Sequence, residues 1–543
     1  MAPAVSGLKR FWIDAASAVM SGALLVLSFP PFDMPFLAWI ALIPLLLLIR
    51  NSGLIKALLF SIFAGSVFFG GLLWWVLRIT IVNPFNFGLG IFIAALFIGL
   101  FGISAYFLQR RMPGWSTMVV PTTWVLIEYL RTHIGFLSFP WGILGYTQYS
   151  VLSVASISAF CGIYGVSFFI VSANTVLTEG IYLYCHSREE DFKLSHFISR
   201  RKVSVGILAV VPILLLISFL TFSFAQPYKT QTRSLKVALI QGNIYYDESD
   251  KLELSEKVIG KYSALTMKAL NPRPDLIIWP SSSIAGRLPF DGMLVRILSD
   301  LARRTETFML LGSSGFDKFN AEQRKLRRIA NSAFLFSPQG KILGRYDKIR
   351  LLPFDEYVPL RGLIKWPEWV VSSKVTDHLP GKEMTIFNVN RYRFSVLICW
   401  ENYFPDLFRK MVEQGVDFMV SQTNEAFIDA PAAHYQMLSM NVFRAIENHI
   451  SIARISSTGV SSIVGPDGRI IARVKDSNSN DVNIEGYLVS QIPLSSSRSF
   501  YNRHGDWFIS LLVIMLFGLI LWKEVINKYF VRKTGNDIVR IRY

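Results

Sequence analysis

The chain has 543 residues, with 55 Lys and Arg against 38 Asp and Glu, a formal net charge of +17. Hydrophobic residues make up 52% and charged residues only 17%, and the mean hydropathy is +0.39. These values exclude a large soluble enzyme and a disordered chain, and three cysteines in such a length exclude a disulfide scaffold.

The apolarity fills the first part of the chain, vanishes over a long middle segment and returns once near the C-terminus. Candidate membrane spans are 11–29, 36–49, 57–77, 87–108, 115–130, 151–184, 203–225 and 507–522. A helix needs about 20 apolar residues to cross the hydrocarbon layer, so 36–49 and 507–522 are short and 151–184 has length to spare. Eight spans is the expected count. Lys9 and Arg10 precede the first, Arg50 and Lys56 lie between the second and third, and Arg110 and Arg111 between the fourth and fifth. Arg188, Lys193 and Arg200 to Lys202 lie between the sixth and seventh, and Lys523 and Lys528 follow the last. The positive-inside rule then puts both termini in the cytoplasm and residues 226–506 on the opposite face. The first apolar run leads into Ser28-Phe-Pro-Pro-Phe32 rather than a small-residue cleavage site, so it reads as a retained span. The net positive charge suits loops lying against anionic lipid. No basic face with interleaved aromatic residues marks the middle segment, so no nucleic acid is expected as a partner.

In the middle segment the expected strands are 235–241, 275–279, 308–312, 333–336, 394–399, 418–422, 450–455, 461–464 and 486–491. The expected helices are 252–269, 293–304, 406–414 and 434–447. Nearly continuous apolar strands alternating with helices imply α/β layers, with sheets covered by helices. Three domains follow: 1–225, a membrane domain of about seven spans; 226–506, an extramembrane α/β domain; and 507–543, a last span with a basic tail.

Candidate chemistry sits on three separated segments. Cys399 ends the apolar run Phe394-Ser-Val-Leu-Ile-Cys399 just before an amphipathic stretch, a placement that can expose a thiol on a turn with following N–H groups aimed at it. On position alone, a buried inert thiol is the simpler reading. Tyr346-Asp-Lys-Ile-Arg-Leu-Leu-Pro-Phe-Asp-Glu-Tyr357 brings a lysine and then a glutamate into one loop, and Asp275-Leu-Ile-Ile-Trp-Pro-Ser281 ends a strand in a hydroxyl-rich turn. A lysine beside a thiol stabilises the thiolate, and a nearby carboxylate can move its proton. The seven histidines are scattered without ligand spacing, so no metal is expected. His434 reads as structural. Glu128 and Arg131, near the outer end of the fifth span, are expected to pair with each other or touch lipid headgroups.

These segments and the span count resemble the apolipoprotein N-acyltransferases, membrane-embedded members of the carbon–nitrogen hydrolase (nitrilase-like) superfamily. Beyond the segments above, the resemblance rests on Ser28-Phe-Pro-Pro-Phe32, Phe139-Pro-Trp-Gly-Ile-Leu-Gly-Tyr146, Val237-Ala-Leu-Ile-Gln-Gly-Asn-Ile244, Thr423-Asn-Glu-Ala426 and Tyr501-Asn-Arg-His-Gly-Asp-Trp507. It implies a four-layer αββα sandwich beside the membrane helices. It also implies a Glu-Lys-Cys triad with Cys399 as nucleophile and Lys348 as the lysine. Glu356 and Glu401 match supporting glutamates, and Trp400 stands where the family usually has tyrosine. Ser281 occupies the position of the triad glutamate, and a serine hydroxyl cannot accept the thiol proton near neutral pH. The tryptophan expected after Ile244 is absent, with Asp250 near its place.

The implied reaction moves an acyl chain from a phospholipid to Cys399 as a thioester, then to the α-amino group of a diacylglyceryl-cysteine lipoprotein. It needs no cofactor. The implied location is the bacterial inner membrane, with the catalytic domain on the periplasmic side. Either Glu356 or a water held by Ser281 then takes over the proton. The alternatives are an impaired homologue that binds lipoprotein or phospholipid, and a diverged amidase or acyltransferase with another amine acceptor.

Overall fold

The computed structural model describes residues 7–79, 82–187, 233–245, 251–316, 329–371, 375, 377–495 and 497–533. The first helices are α1 (Gly7–Leu27), α2 (Ile43–Asn51), α3 (Leu54–Leu72), α4 (Pro84–Arg111), α5 (Ser116–His133), α6 (Leu152–Ala155) and α7 (Ser158–Ser187). Helix α4 starts where the Asn83 side chain accepts from the Asn86 N–H at 2.8 Å and Pro84 takes the first helical position, whose N–H has no partner to lose. It lies tight against α3: a side-chain carbon on Gly102 would fall 2.6 Å from Ser61 Cβ and 2.8 Å from the Ala57 oxygen. Helix α7 is broken at Gly162, whose φ of 67° suits a residue without Cβ.

Five helices among the described residues are long and apolar enough to cross a membrane: Leu8–Leu27, Leu54–Leu72, Pro84–Arg111, Ser158–Cys185 and Trp507–Val525. They match five of the eight expected spans. The 36–49 segment instead divides into a 3-10 turn, Pro35–Trp39, and the nine-residue α2. The 115–130 segment forms α5, which is mostly buried and carries Glu128 and Arg131. Those two side chains do not simply pair. Arg131 donates to the Phe139 (3.0 Å) and Trp141 carbonyls, while Glu128 accepts from Trp124 Nε1 at 2.9 Å and the Leu144 N–H at 2.8 Å. They fold the 139–144 loop back onto α5. The expected span 203–225, the basic residues 188–202 and Asp250 lie outside the described residues.

The strands are β1 (Ser234–Gln241), β2 (Leu276–Ile278), β3 (Ile284–Leu288), β4 (Phe308–Phe316), β5 (Ile329–Phe336), β6 (Ile342–Asp347), β7 (Phe387–Val389), β8 (Tyr392–Ile398), β9 (Phe418–Gln422), β10 (Ser451–Ile455), β11 (Ser462–Val464), β12 (Ile470–Arg473) and β13 (Gly486–Pro493). One mixed sheet runs β13-β1-β2-β4-β5-β6 with β3 on β4, and the other runs β12-β11-β10-β9-β8-β7. The nine expected strands are all present. The four additional ones, β3, β6, β7 and β12, are short and include three at sheet margins, where half-exposed residues leave no apolar run to read.

Helices α8 (Lys251–Lys268), α9 (Gly292–Thr305), α10 (Pro405–Glu413) and α11 (Pro431–Asn448) answer to the four expected ones. Two further helices close the chain, α12 (Phe500–His504) and α13 (Trp507–Lys533). The period of two along each strand sorts the first sheet between two cores. Ala238, Ile240, Ile277 and Met309 pack with Tyr262, Leu265 and Leu298 of α8 and α9. Their chain neighbours Val237, Leu239, Ile278 and Leu310 join the larger core, which includes Val396, Met419 and Ile452 of the second sheet.

Candidate active site

Cys399 is the first residue past β8, with a φ of 54° that turns the chain sharply at the thiol. A 3-10 turn, Cys399–Tyr403, follows, and α10 starts only at Pro405. The thiol therefore sits on a short turn ahead of that helix. The residue is partly exposed, while its sulfur is buried and receives the Trp400 backbone N–H.

Lys348 follows β6, with its N–H on the Asn331 carbonyl at 2.8 Å. Its side chain is only 1% exposed, and Nζ meets Glu356 Oε2 at 2.7 Å. The same oxygen accepts the Leu352 N–H at 2.7 Å, which curls 348–356 into a loop around the ion pair. Burial works against the Lys348 ammonium, yet Cys399 and Glu356 together outweigh it and its pKa rises. For Glu356 burial pushes upward, but Lys348, the Leu352 N–H and Asn331 overcome it and hold the carboxyl below its ordinary value. Lys348 and Glu356 are a charged pair.

Cys399 turns out otherwise. Burial raises its pKa, and the opposing charge of Lys348 does not compensate. Lys348 and the Trp400 N–H oppose that rise, and Glu356 adds to it.

Glu401 holds the lysine and cysteine segments together. Its carboxyl, fully buried, accepts from Tyr346 Oη (2.8 and 3.0 Å) and from the N–H groups of Ile349 (2.7 Å), Arg350 (2.9 Å) and Ile398 (2.9 Å). The residues after Lys348 and the residue before Cys399 thus converge on one side chain. Trp400 is half-buried beside Phe404 and Phe139 and lines a cavity of about 430 Å³. Phe136, Ile349, Arg350, Tyr357 and His378 also line it, so the loop after α5 and the lysine loop build it jointly. Neither Cys399 nor Lys348 is among its wall residues.

Ser281 is buried beyond the end of β2, and its Oγ donates to Asn331 Oδ1 at 3.3 Å. The Asn331 amide in turn donates to Glu356 Oε1 at 3.3 Å. The serine is therefore connected to the lysine–glutamate pair, one residue removed. Asn331 carries no mark in the sequence; only the pairing of β5 with β6 brings it to the lysine.

Two further groups escaped the sequence reading. Glu425, inside a segment the resemblance had picked out, accepts from Arg454 (2.5 Å) and Thr423 (2.7 Å) and meets His434 Nδ1 at 2.5 Å. Burial would raise its pKa, but Arg454 and His434 bring it down to about 2. His434 is thus the partner of a buried carboxylate. Gln436, two residues further along α11 and so on another face, reaches the membrane-side segments. Its Oε1 accepts the indole N–H groups of Trp75 (3.2 Å) and Trp141 (2.8 Å), and its Nε2 donates to the Pro30 (3.0 Å) and Leu72 (3.1 Å) carbonyls.

The chain matches two family models, the apolipoprotein N-acyltransferase N-terminal domain over residues 21–176 and carbon–nitrogen hydrolase over residues 236–501. It is 33% identical to the apolipoprotein N-acyltransferase of Geobacter metallireducens over 508 residues, covering 91% of this chain and 92% of that protein. It is 26% identical to apolipoprotein N-acyltransferase 1 of Treponema denticola, over 96% of this chain and 98% of that protein. With the Thermotoga maritima apolipoprotein N-acyltransferase it shares 27% identity, over 93% and 94% of the two chains. A carbon–nitrogen hydrolase fold of two mixed sheets, joined to apolar helices and matched along nine-tenths of a relative, leaves one assignment: the chain belongs to the apolipoprotein N-acyltransferase family.

Proposed function

We propose that the protein moves an acyl chain from a phospholipid to the α-amino group of a diacylglyceryl-cysteine lipoprotein, by way of a thioester on Cys399. The observation that carries this reading is the buried Lys348–Glu356 ion pair, whose charges act on Cys399, with Glu401 binding the two segments together. Cys399 Sγ attacks the ester carbonyl carbon, and the electron pair displaced onto oxygen meets Lys348 and the Trp400 N–H. Collapse releases a lysophospholipid and leaves the thioester, which the lipoprotein amine then attacks. A thioester suits this order because it is reactive toward an amine.

The cavity beside Trp400 has apolar walls and a guanidinium, Arg350, as a phospholipid's acyl and headgroup ends require. Basic residues at alternate loops favour cytoplasmic termini, with the 226–506 domain at the outer face of the bacterial inner membrane. In this reading α8 and α9, the two sheets, and α10 and α11 form four layers. Residues 1–225 and 507–543 form the membrane part.

The test is incubation of the purified full chain with acyl-labelled phosphatidylethanolamine, followed by trapping of the thioester. Label on the unsubstituted chain that disappears in Cys399→Ala, and that moves to an added diacylglyceryl lipopeptide, is the expected result. Ser281 favours a second reading, an impaired homologue that binds these lipids without transfer. It predicts bound phospholipid, no thioester, and label gained on Ser281→Glu.

A further inference from the structure

When the Cys399 thiol attacks, its proton needs an acceptor, and the Ser281 hydroxyl cannot serve. Three buried carboxylates surround the cysteine turn, and their hydrogen bonds sort them. Glu425 is committed to Arg454, Thr423 and His434. Glu401 is saturated by Tyr346 and three backbone N–H groups.

Glu356 is asymmetric. Its Oε2 takes Lys348 and the Leu352 N–H, both at 2.7 Å, whereas Oε1 receives only the Asn331 amide at 3.3 Å. His378 Nδ1, 4.0 Å from Oε1, is a buried nitrogen with no hydrogen-bond partner among the described residues. One oxygen therefore clamps the lysine while the other keeps a lone pair open. Ser281 contributes to that opening. By donating to Asn331 Oδ1 it turns the amide NH2 toward Glu356.

We propose that Glu356 is the proton acceptor and donor of this enzyme in place of the missing triad glutamate, with Asn331 and Ser281 as positioning residues. The proposal rests on the acyl-transfer reading. As the Sγ–C bond forms, the S–H bond breaks and the proton passes to Glu356 Oε1, while the carbonyl π pair moves to oxygen. The neutralised carboxyl releases its hold on Lys348, whose charge is then free for the oxyanion. When the C–O ester bond breaks, the departing alkoxide takes that proton from Glu356 and leaves as the lysophospholipid hydroxyl. In the second half the attacking amine gives a proton to Glu356, which returns it to the departing sulfur. Between free side chains such a transfer from thiol to carboxylate is uphill by about four pKa units, so it occurs only together with bond formation.

The experiment compares single-turnover thioester formation from acyl-labelled phosphatidylethanolamine in the unsubstituted full chain, Glu356→Gln, and the double variant Ser281→Glu with Glu356→Gln. Glu356→Gln is expected to slow thioester formation at least a hundredfold, and a carboxylate returned at position 281 to recover at least tenfold of it. Alkylation of Cys399 by a neutral reagent serves as the second readout. It should not slow in Glu356→Gln, because Lys348 loses its competitor for the sulfur. Thioester formation by Glu356→Gln within threefold of the unsubstituted chain would overturn the proposal. So would a loss that the second carboxylate leaves unrepaired, which marks a structural role. Absence of thioester on the unsubstituted chain removes the acyl-transfer reading itself, and this proposal with it.

Discussion

Glu356 and Glu447 are both buried glutamates beside a buried cation, yet they ionise in opposite senses. Glu356 gathers Lys348, the Leu352 N–H and Asn331, and its carboxyl is held below the ordinary value. Glu447, on α11, has Arg444 and the Ile163 N–H at 2.8 Å, and burial wins, raising it to about 7. Burial opposes both charges; Glu356 has Lys348, the Leu352 N–H and Asn331 to set against it, and Glu447 only Arg444 and the Ile163 N–H. The two regions also differ in what they leave open. At the seam, Gln436 uses its carbonyl on two indoles and its amide on two backbone oxygens, so α11 is bolted to the helical part. Glu447 caps the chain just after the Gly162 break in α7. Glu356 Oε1 has a single long hydrogen bond while the Gln436 amide has none left to make, as expected if one side chain reacts and the other holds the regions together.

Removing the cation at the site gives the largest effect. Lys348→Met leaves Glu356 buried without its counter-charge, which costs about 3–5 kcal/mol when one partner of a buried pair is lost. Acyl transfer should fall by roughly a thousandfold, since oxyanion stabilisation goes with it. Melting in detergent and thioester trapping read the two effects separately. If melting is unchanged, the pair is not buried as described.

Glu401→Gln presents an NH2 group to donors that now meet a carboxylate, so the lysine and cysteine segments lose their common anchor. Thioester formation should drop about a hundredfold, with stability lowered by about 2–3 kcal/mol, the scale of a hydrogen-bonded charge removed. Alkylation of Cys399 with an unaltered rate–pH profile would argue that Glu401 does not set the geometry of the turn.

At the seam, Gln436→Leu strands two indole N–H groups and two carbonyls. At about 1 kcal/mol for each lost hydrogen bond, stability should fall by about 4 kcal/mol. Cys399 alkylation should stay within about threefold, because Gln436 touches none of the site residues. A site effect as large as that of Glu401→Gln would show that the seam tunes the chemistry, and the contrast between the regions would fail.

The smallest effect is a pH slope. Glu447 is raised in the folded state, so the native protein binds more protons than the unfolded chain between about pH 4.5 and 7, and its contribution falls as pH rises through that window. Glu356 has the opposite sign: its contribution is present above its unfolded pKa and is lost on acidification through its lowered folded value. Glu447→Gln should flatten the upper slope. Melting temperatures measured in detergent between pH 5 and 8 check it, and an unchanged slope would assign the titration to another group.

The long apolar helices and the nine central strands were legible because their signals are local: sustained apolarity in one case, a run of alternating burial in the other. The expected span at 115–130 forms helix α5 but is not among the five long apolar helices of the described residues. Glu128 and Arg131 are tolerated there because the 139–144 loop supplies their partners, and that loop lies beyond any window of hydropathy. The marginal strands β6, β7 and β12 carry too few buried residues to announce themselves.

The amino-acid order by itself determined the apolar and α/β halves, and the identities of Cys399, Lys348, Glu356 and Glu401, since each sits in a short recognisable stretch. Tertiary structure decided the rest. It set which carboxylate has a cation and donors around it, buried the cysteine sulfur, and made Asn331 and Gln436 the couplers. Those outcomes depend on burial and on partners delivered from other parts of the chain: Asn331 from β5, Glu401 onto the backbone of Ile349, Gln436 onto Pro30. A residue's neighbours in sequence say little about how much water it loses or who hydrogen-bonds it, and those two quantities fix its charge.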